Sequence, residues 1–166
     1  MDKRVDELAA RLRKGARKTA ESLGDLNDDQ WKMVLYEGPP SWTVLNLLAH
    51  FLSAEEGLLR VAQDIAAGGP GATEDFDYDE YNASEQARLA GLLPDKLLAD
   101  LAAARRATIA WVAELDEADP STSSGHRLDR IGHHPALGEI TLETIINAIY
   151  GHQLMHVRDL QALLRS

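Results

Sequence analysis

Residues 141–165, TLETIINAIYGHQLMHVRDLQALLR, carry the pattern on which the fold turns. Ile145, Ile149, His152, His156, Leu160 and Leu163 recur at three- and four-residue intervals, the spacing of one face of an α-helix. Thr141 suits the N-cap of such a helix, with Glu143 in its first turn. His152 and His156 are about one turn apart, so they lie one above the other. An amphipathic helix must bury its stripe against other elements. This segment therefore expects helical partners, and it brings two imidazoles to them on its core face.

Three further segments read as long helices. The first runs from Asp2 to Leu23, with Val5, Leu8, Ala9, Leu12, Ala16 and Leu23 on one side and Gly24 as its stop. A short helical turn over Asp28–Leu35 follows, started by Asp28–Asp29 and packing Trp31 inward, and Gly38-Pro39-Pro40 then breaks the chain. Ser41 is the expected N-cap of the second long helix, which ends at Gly68-Gly69-Pro70. Residues 71–80 form an acidic loop, and residues 81–92 a partly helical link. Pro94 suits the first turn of the third long helix, which extends to Ala118. Residues 119–140 are expected to be an irregular connection. Four helices with one apolar stripe each predict an all-α four-helix bundle, a single domain over residues 1–166.

Composition supports this reading and narrows the chemistry. Alanine and leucine dominate, aromatics make up 5% and β-branched residues rarely run together, which favours helices over strands. No apolar run approaches the ~18–20 residues that span a bilayer, and the charged N-terminus does not read as a signal peptide. A soluble, cytoplasmic protein is expected. The net charge of −10 repels phosphate backbones and argues against nucleic acid as a partner. One stretch runs the other way: residues 1–20 carry Lys3, Arg4, Arg11, Arg13, Lys14, Arg17 and Lys18 against three acids, and read as a solvated helix face. The chain has no cysteine, which excludes disulfides, thiolate metal sites and a cysteine nucleophile. Any transition metal must be held by nitrogen and oxygen ligands.

A third histidine belongs with the pair. On the second helix Leu47, His50, Ala54 and Val61 share a face with the small Gly57, so His50 also points inward. Helical bundles assemble metal sites from ligands on facing helices. Two histidines one turn apart and a third from a neighbour close three positions around an ion and leave one or more open. The competing reading is three hydrogen-bonded core imidazoles; burying them without partners costs desolvation free energy at each nitrogen. Zincin chemistry is disfavoured, because Gln153, Leu154 and Met155 occupy the places where H-E-x-x-H needs a glutamate. Asp159, three residues after His156, can serve as an acceptor that orients it, or can simply pair with Arg158 or Arg165. His133 and His134, in the connection before the last helix, are candidates for a pocket rim or plain solvated groups. His126 joins no constellation. Trp31, Trp42 and Trp111 are expected in core or junction packing, or lining a pocket at the bundle mouth.

The segments SWTVLNLLAHFLSAEEGLL, YNASEQARLAGLLPDKLLADLAAARRATIAWV and HPALGEITLETIINAIYGHQLMHVRDLQALL together resemble the DinB-like superfamily, whose members include DinB and YfiT-like types. The ordered set carries the likeness: Trp-Ser/Thr before the second helix, a histidine within it, then a glycine-leucine-threonine run into a helix bearing H-x-x-x-H. The resemblance covers about Trp31 to Leu164. It implies a four-helix bundle with a long connection between helices 2 and 3, and one divalent metal held by His50, His152 and His156. All three positions are kept here, whereas some relatives have glutamate at the first of the closing pair.

For function, the resemblance implies several possibilities. Characterised relatives include transferases and an isomerase that use low-molecular-weight thiols such as bacillithiol or mycothiol, and a few that inactivate toxins by hydrolysis; dimers are common. The leading expectation is a metal-dependent transferase that activates such a thiol for attack on an electrophilic small-molecule substrate. The nucleophile would come from outside a chain that has no cysteine. Hydrolysis by metal-activated water is the alternative, with Asp159, His133 or His134 as proton acceptor; a non-enzymatic metal- or small-ligand-binding bundle is the third. Neutral imidazoles suit zinc, with nickel next.

Overall fold

A computed structural model describes residues 3–165 and contains six helices: α1 (Lys3–Leu23), α2 (Asp28–Lys32), α3 (Val44–Ala67), α4 (Tyr78–Leu89), α5 (Pro94–Ala113) and α6 (Leu142–Leu163). The expected helix start at Asp2 lies outside the described residues. The long helices are α1, α3, α5 and α6. Helices α1 and α3 each pack against both α5 and α6. Each therefore has two neighbours, and α1 stands diagonally from α3 as α5 does from α6. The chain crosses a diagonal after α1 and again after α5. The connection between the second and third long helices, residues 68–93, carries α4, so the expected bundle with its long connection is what forms.

Both diagonal crossings contain short antiparallel strand pairs that periodicity did not anticipate. In the first, β1 (Val34–Tyr36) pairs with β2 (Trp42–Thr43); in the second, β3 (Ile131–His134) pairs with β4 (Gly138–Thr141). Strands of two to four residues are too short to show alternation. The short helix accordingly stops at Lys32 rather than Leu35, and residues 119–140 are not irregular throughout. Gly132 lies in β3 because the side chain of Ile65 fills the space a β-carbon there would need.

Helix ends follow capping chemistry. The α3 cap is Thr43 rather than the expected Ser41: its hydroxyl accepts the Asn46 N–H at 3.3 Å, and the Asn46 side chain accepts the Thr43 N–H at 2.9 Å. Ser41 precedes the strand residues Trp42 and Thr43, two residues too early to cap. Thr141 caps α6, Pro94 opens α5, and Gly68 closes α3 with φ +95°, all as expected. Asp77 caps α4, which starts at Tyr78, three residues before the expected helical link. Helix α5 ends at Ala113, short of Ala118.

The apolar core falls into two clusters. One gathers Leu8 and Leu12 of α1, Ile65 of α3, and Leu142, Ile145 and Ile149 of α6. The other collects Leu23, Trp31, Leu47, Phe51, Leu97 and Leu160. Along α3 and α6 the changeover between them falls at residues 50–55 and 152–156. That belt is polar, and it contains His50, Glu55, His152, Gln153 and His156.

Candidate metal centre

The stripe on α6 is buried at Ile145, Ile149 and Leu160, which fixes the rotation of the helix and turns His152 and His156 towards α3. On α3, buried Leu47, Leu48, Phe51 and Leu52 do the same for His50. The imidazole centroids of His50 and His152 are 4.8 Å apart, those of His152 and His156 4.8 Å, and those of His50 and His156 5.4 Å. One nitrogen from each of the three lies within 4.8 Å of the others. Among the described residues no other group of His, Cys, Asp and Glu side chains converges in this way.

His50 Nε2 and His152 Nε2 stand 3.0 Å apart, while Nδ1 of both rings is buried without a hydrogen-bond partner. The two Nε2 atoms are at hydrogen-bond distance. Two nitrogens bound to one tetrahedral ion at ~2.0–2.1 Å stand roughly 3.3 Å from each other, so a slight separation of the rings would admit a shared cation. Electrostatics points the same way. Burial, reinforced by the neighbouring imidazoles, lowers His152 to about 3. Burial and the proximity of His156 lower His50 to about 4, against a smaller opposing contribution from Asn82. His156 is also lowered by burial, with the charge of Asp159 opposing. All three rings are therefore neutral at pH 7, the protonation state in which imidazole ligates a metal. The set fits a divalent cation, and the remaining coordination positions would be open to a ligand.

Two residues of the first hairpin complete the surroundings. Tyr36 of β1 places its hydroxyl oxygen 2.6 Å from His156 Nδ1 and 2.6 Å from Asp159 Oδ2. Asp159 thus reaches His156 through Tyr36, which was not singled out in the sequence; nothing local signals a partner 120 positions away. Burial and the bond to Asp159 raise the Tyr36 hydroxyl well above its ordinary value, so it stays protonated. Trp42 of β2 lies against His50, with ring centroids 4.9 Å apart. A cleft of about 690 Å³ opens beside this pair, lined by Pro39, Pro40, Trp42, Asp79, Asn82 and Gln86. Neither this cleft nor a second of about 830 Å³, lined in part by Lys14, Arg17, Lys18 and Arg165, is lined by any of the three histidines; the first meets the site only through Trp42.

The other sequence candidates have separate duties. His133 approaches the Ala72 carbonyl at 3.2 Å and His134 the Tyr78 hydroxyl at 3.1 Å. His126 accepts the Leu128 N–H at 3.0 Å. Trp31 is buried in the second core cluster and Trp111 packs against the first. In the basic stretch Arg4 binds Asp129 and Glu143 across the bundle, more than a solvated face requires.

The family model for the DinB superfamily matches residues 11–160, a span that includes all three histidines. This chain belongs to the DinB superfamily. YfiT from Bacillus subtilis, described as a probable metal-dependent hydrolase with an unusual four-helix bundle topology, superposes with a TM-score of 0.72 at 19% identity, over 99% of this chain and 89% of that one. A mycothiol-dependent maleylpyruvate isomerase superposes with a TM-score of 0.72 at 18% identity, over 94% of this chain and 60% of the isomerase. A histidine-to-alanine mutant of the isomerase gives 0.70 at 18% identity. This DinB superfamily chain thus spans about three fifths of the isomerase's length. At these identities the two likenesses establish a shared fold. No curated protein sequence matches the chain.

Proposed function

We propose that the chain is a single DinB-like domain, residues 1–166, that binds one divalent cation through His50, His152 and His156. It uses that cation to activate a low-molecular-weight thiol of the bacillithiol or mycothiol type for attack on an electrophilic small molecule. The observation that carries the reading is the convergence of three neutral imidazoles from two helices. A bound cation would favour the deprotonated form of a thiol beside it. The three histidines act only as holders. The cleft at Trp42 and Asn82 supplies the approach, and the aromatic face of Trp42 offers apolar area beside His50. With no cysteine in the chain, the sulfur nucleophile comes from outside. Zinc is the proposed metal, with nickel as the alternative; a homodimer in the cytoplasm is proposed on the family resemblance.

Hydrolysis is the second reading, and the likeness to YfiT favours it. It requires a proton acceptor near the triad. Asp159 already accepts from Tyr36 and His134 faces the Tyr78 hydroxyl, whereas His133, whose Nδ1–H donates to the Ala72 carbonyl, keeps Nε2 as an acceptor. Thiol activation also releases a proton. An ordinary thiol at about 8.5 lies far closer to neutrality than water at about 15.7, so the cation has less to shift and solvent can take the proton, which ranks transfer first.

Elemental mass spectrometry on untagged protein, with His156→Ala alongside, tests the site. Near-stoichiometric metal in the wild type and its loss in the variant are expected. No metal in either, after loading with zinc and nickel, would overturn the reading. Turnover of a generic electrophile with thiol is then expected. Turnover confined to ester or amide substrates without thiol would replace transfer by hydrolysis, and metal-dependent stability without turnover would leave a binding protein.

A further inference from the structure

Of the three histidines, one is held from behind. His156 Nδ1 and Asp159 Oδ2 each lie 2.6 Å from the Tyr36 hydroxyl oxygen. That hydroxyl has one proton, and a carboxylate can only accept. Were the proton given to His156, Tyr36 and Asp159 would face each other at 2.6 Å as two acceptors. The arrangement that satisfies every atom has Tyr36 donating to Asp159 and His156 Nδ1–H donating to Tyr36. Nε2 of His156 is then left with its lone pair. Among the described residues Nδ1 of His50 and of His152 has no such partner and is buried.

We infer that Tyr36 and Asp159 form a positioning relay that fixes His156 as the Nδ1–H tautomer and so commits its Nε2 to the cation. The inference rests on the metal-binding reading above. The relay joins two parts of the chain that are distant in sequence: Asp159 and His156 share α6, whereas Tyr36 arrives on β1 of the first hairpin. The same hairpin lays Trp42 against His50 of α3. The crossing between α1 and α3 therefore does more than connect. It braces one ligand on each of the two helices that supply the triad. A neutral imidazole has two tautomers, only one of which offers Nε2 to an ion, and a partner that selects it removes that ambiguity before the metal arrives.

The test begins without metal. Long-range proton–nitrogen NMR of the metal-free wild type reads the imidazole tautomers directly, and His156 is expected as Nδ1–H. In Tyr36→Phe, which keeps the ring and removes the hydroxyl, that assignment is expected to be lost. An Nε2–H signal for His156 in the wild type would overturn the inference.

Cobalt affinity is the second readout, measured by competition against a chromogenic chelator, with the melting temperature of the metal-free forms as control. Tyr36→Phe is expected to bind about 10–100-fold more weakly. Affinity within threefold of wild type would overturn the relay and leave the triad itself standing. Failure of the wild type to bind cobalt would instead count against the metal reading. Should Tyr36→Phe not fold, Asp159→Ala, which removes the acceptor for the Tyr36 hydroxyl, decides: weakening beyond threefold supports the relay, and unchanged affinity overturns it.

Discussion

Glu55 and His50 lie five residues apart on α3, and both carry polar atoms into the belt between the two apolar clusters. Around Glu55, 1% exposed, every atom is answered. Its Oε1 accepts from Arg105 Nε at 2.8 Å and from the Thr108 hydroxyl at 2.7 Å; its Oε2 accepts from Arg105 Nη2 at 2.6 Å and from Gln153 Nε2 at 3.1 Å. Arg105 Nη1 donates to the Leu12 carbonyl, and Thr19 donates to Gln153 Oε1 at 3.2 Å. The cluster touches all four long helices and closes on itself. The histidine cluster, one residue away at Gln153–His152, leaves two buried nitrogens unbonded and gathers three neutral bases.

A polar group in a core is tolerated when its hydrogen bonds are complete. The contrast therefore separates two uses of buried polarity. The closed cluster spends its valence inside the protein and fixes how four helices meet. On the proposed reading, the open one keeps lone pairs for a cation that is not part of the chain.

The largest expected effect breaks the closed cluster. Glu55→Ala leaves Arg105, 3% exposed, as an uncompensated buried cation and should cost about 3–5 kcal/mol in urea unfolding. Glu55→Leu combined with Arg105→Met should recover most of that loss, because an apolar pair of similar volume avoids the desolvation of both charges. If the double variant is no more stable than the single, the cluster has a role that packing cannot replace.

An intermediate effect belongs to the open cluster and depends on pH. In the metal-free protein His50 and His152 sit at about 4 and about 3, below the ordinary value of about 6.5. The unfolded chain therefore binds protons first as the pH falls. Stability is full above about 6.5 and declines as the pH drops towards those values. Between pH 7 and pH 5, chelator-treated protein should lose roughly 2 kcal/mol for each of the two rings, while His152→Leu should show a shallower decline. Equal pH slopes for the two proteins would remove His152 from the account.

The smallest effect trims the edge of the closed cluster. Thr19→Val removes the donor to Gln153 Oε1 and should cost about 1 kcal/mol, with cobalt affinity unchanged. A change in metal affinity in this variant would show that the two clusters are coupled through Gln153 and are not independent as drawn.

Much of this architecture was present in local pattern. The stripes of α1, α3, α5 and α6, the caps at Thr141 and Pro94, and the stop at Gly68 all depend on residues within a turn or two of one another. Periodicity and backbone chemistry report such spacings directly. The grouping of His50 with His152 and His156 also came from stripes: each ring falls on a face whose apolar neighbours must be buried. The four short strands escaped, and with them the true start of α3, because stretches of two to four residues are too short to show a period.

By itself the sequence determined that four amphipathic helices would share a core and that three imidazoles would be carried into it. Only the tertiary structure decided what stands behind them. Tyr36 meets His156 across 120 positions, and Glu55 meets Arg105 across 50. Such pairings follow from which helices become neighbours and how the chain crosses the bundle diagonals. Those choices are set by the packing of whole stripes against one another, and no stretch of chain read alone contains them.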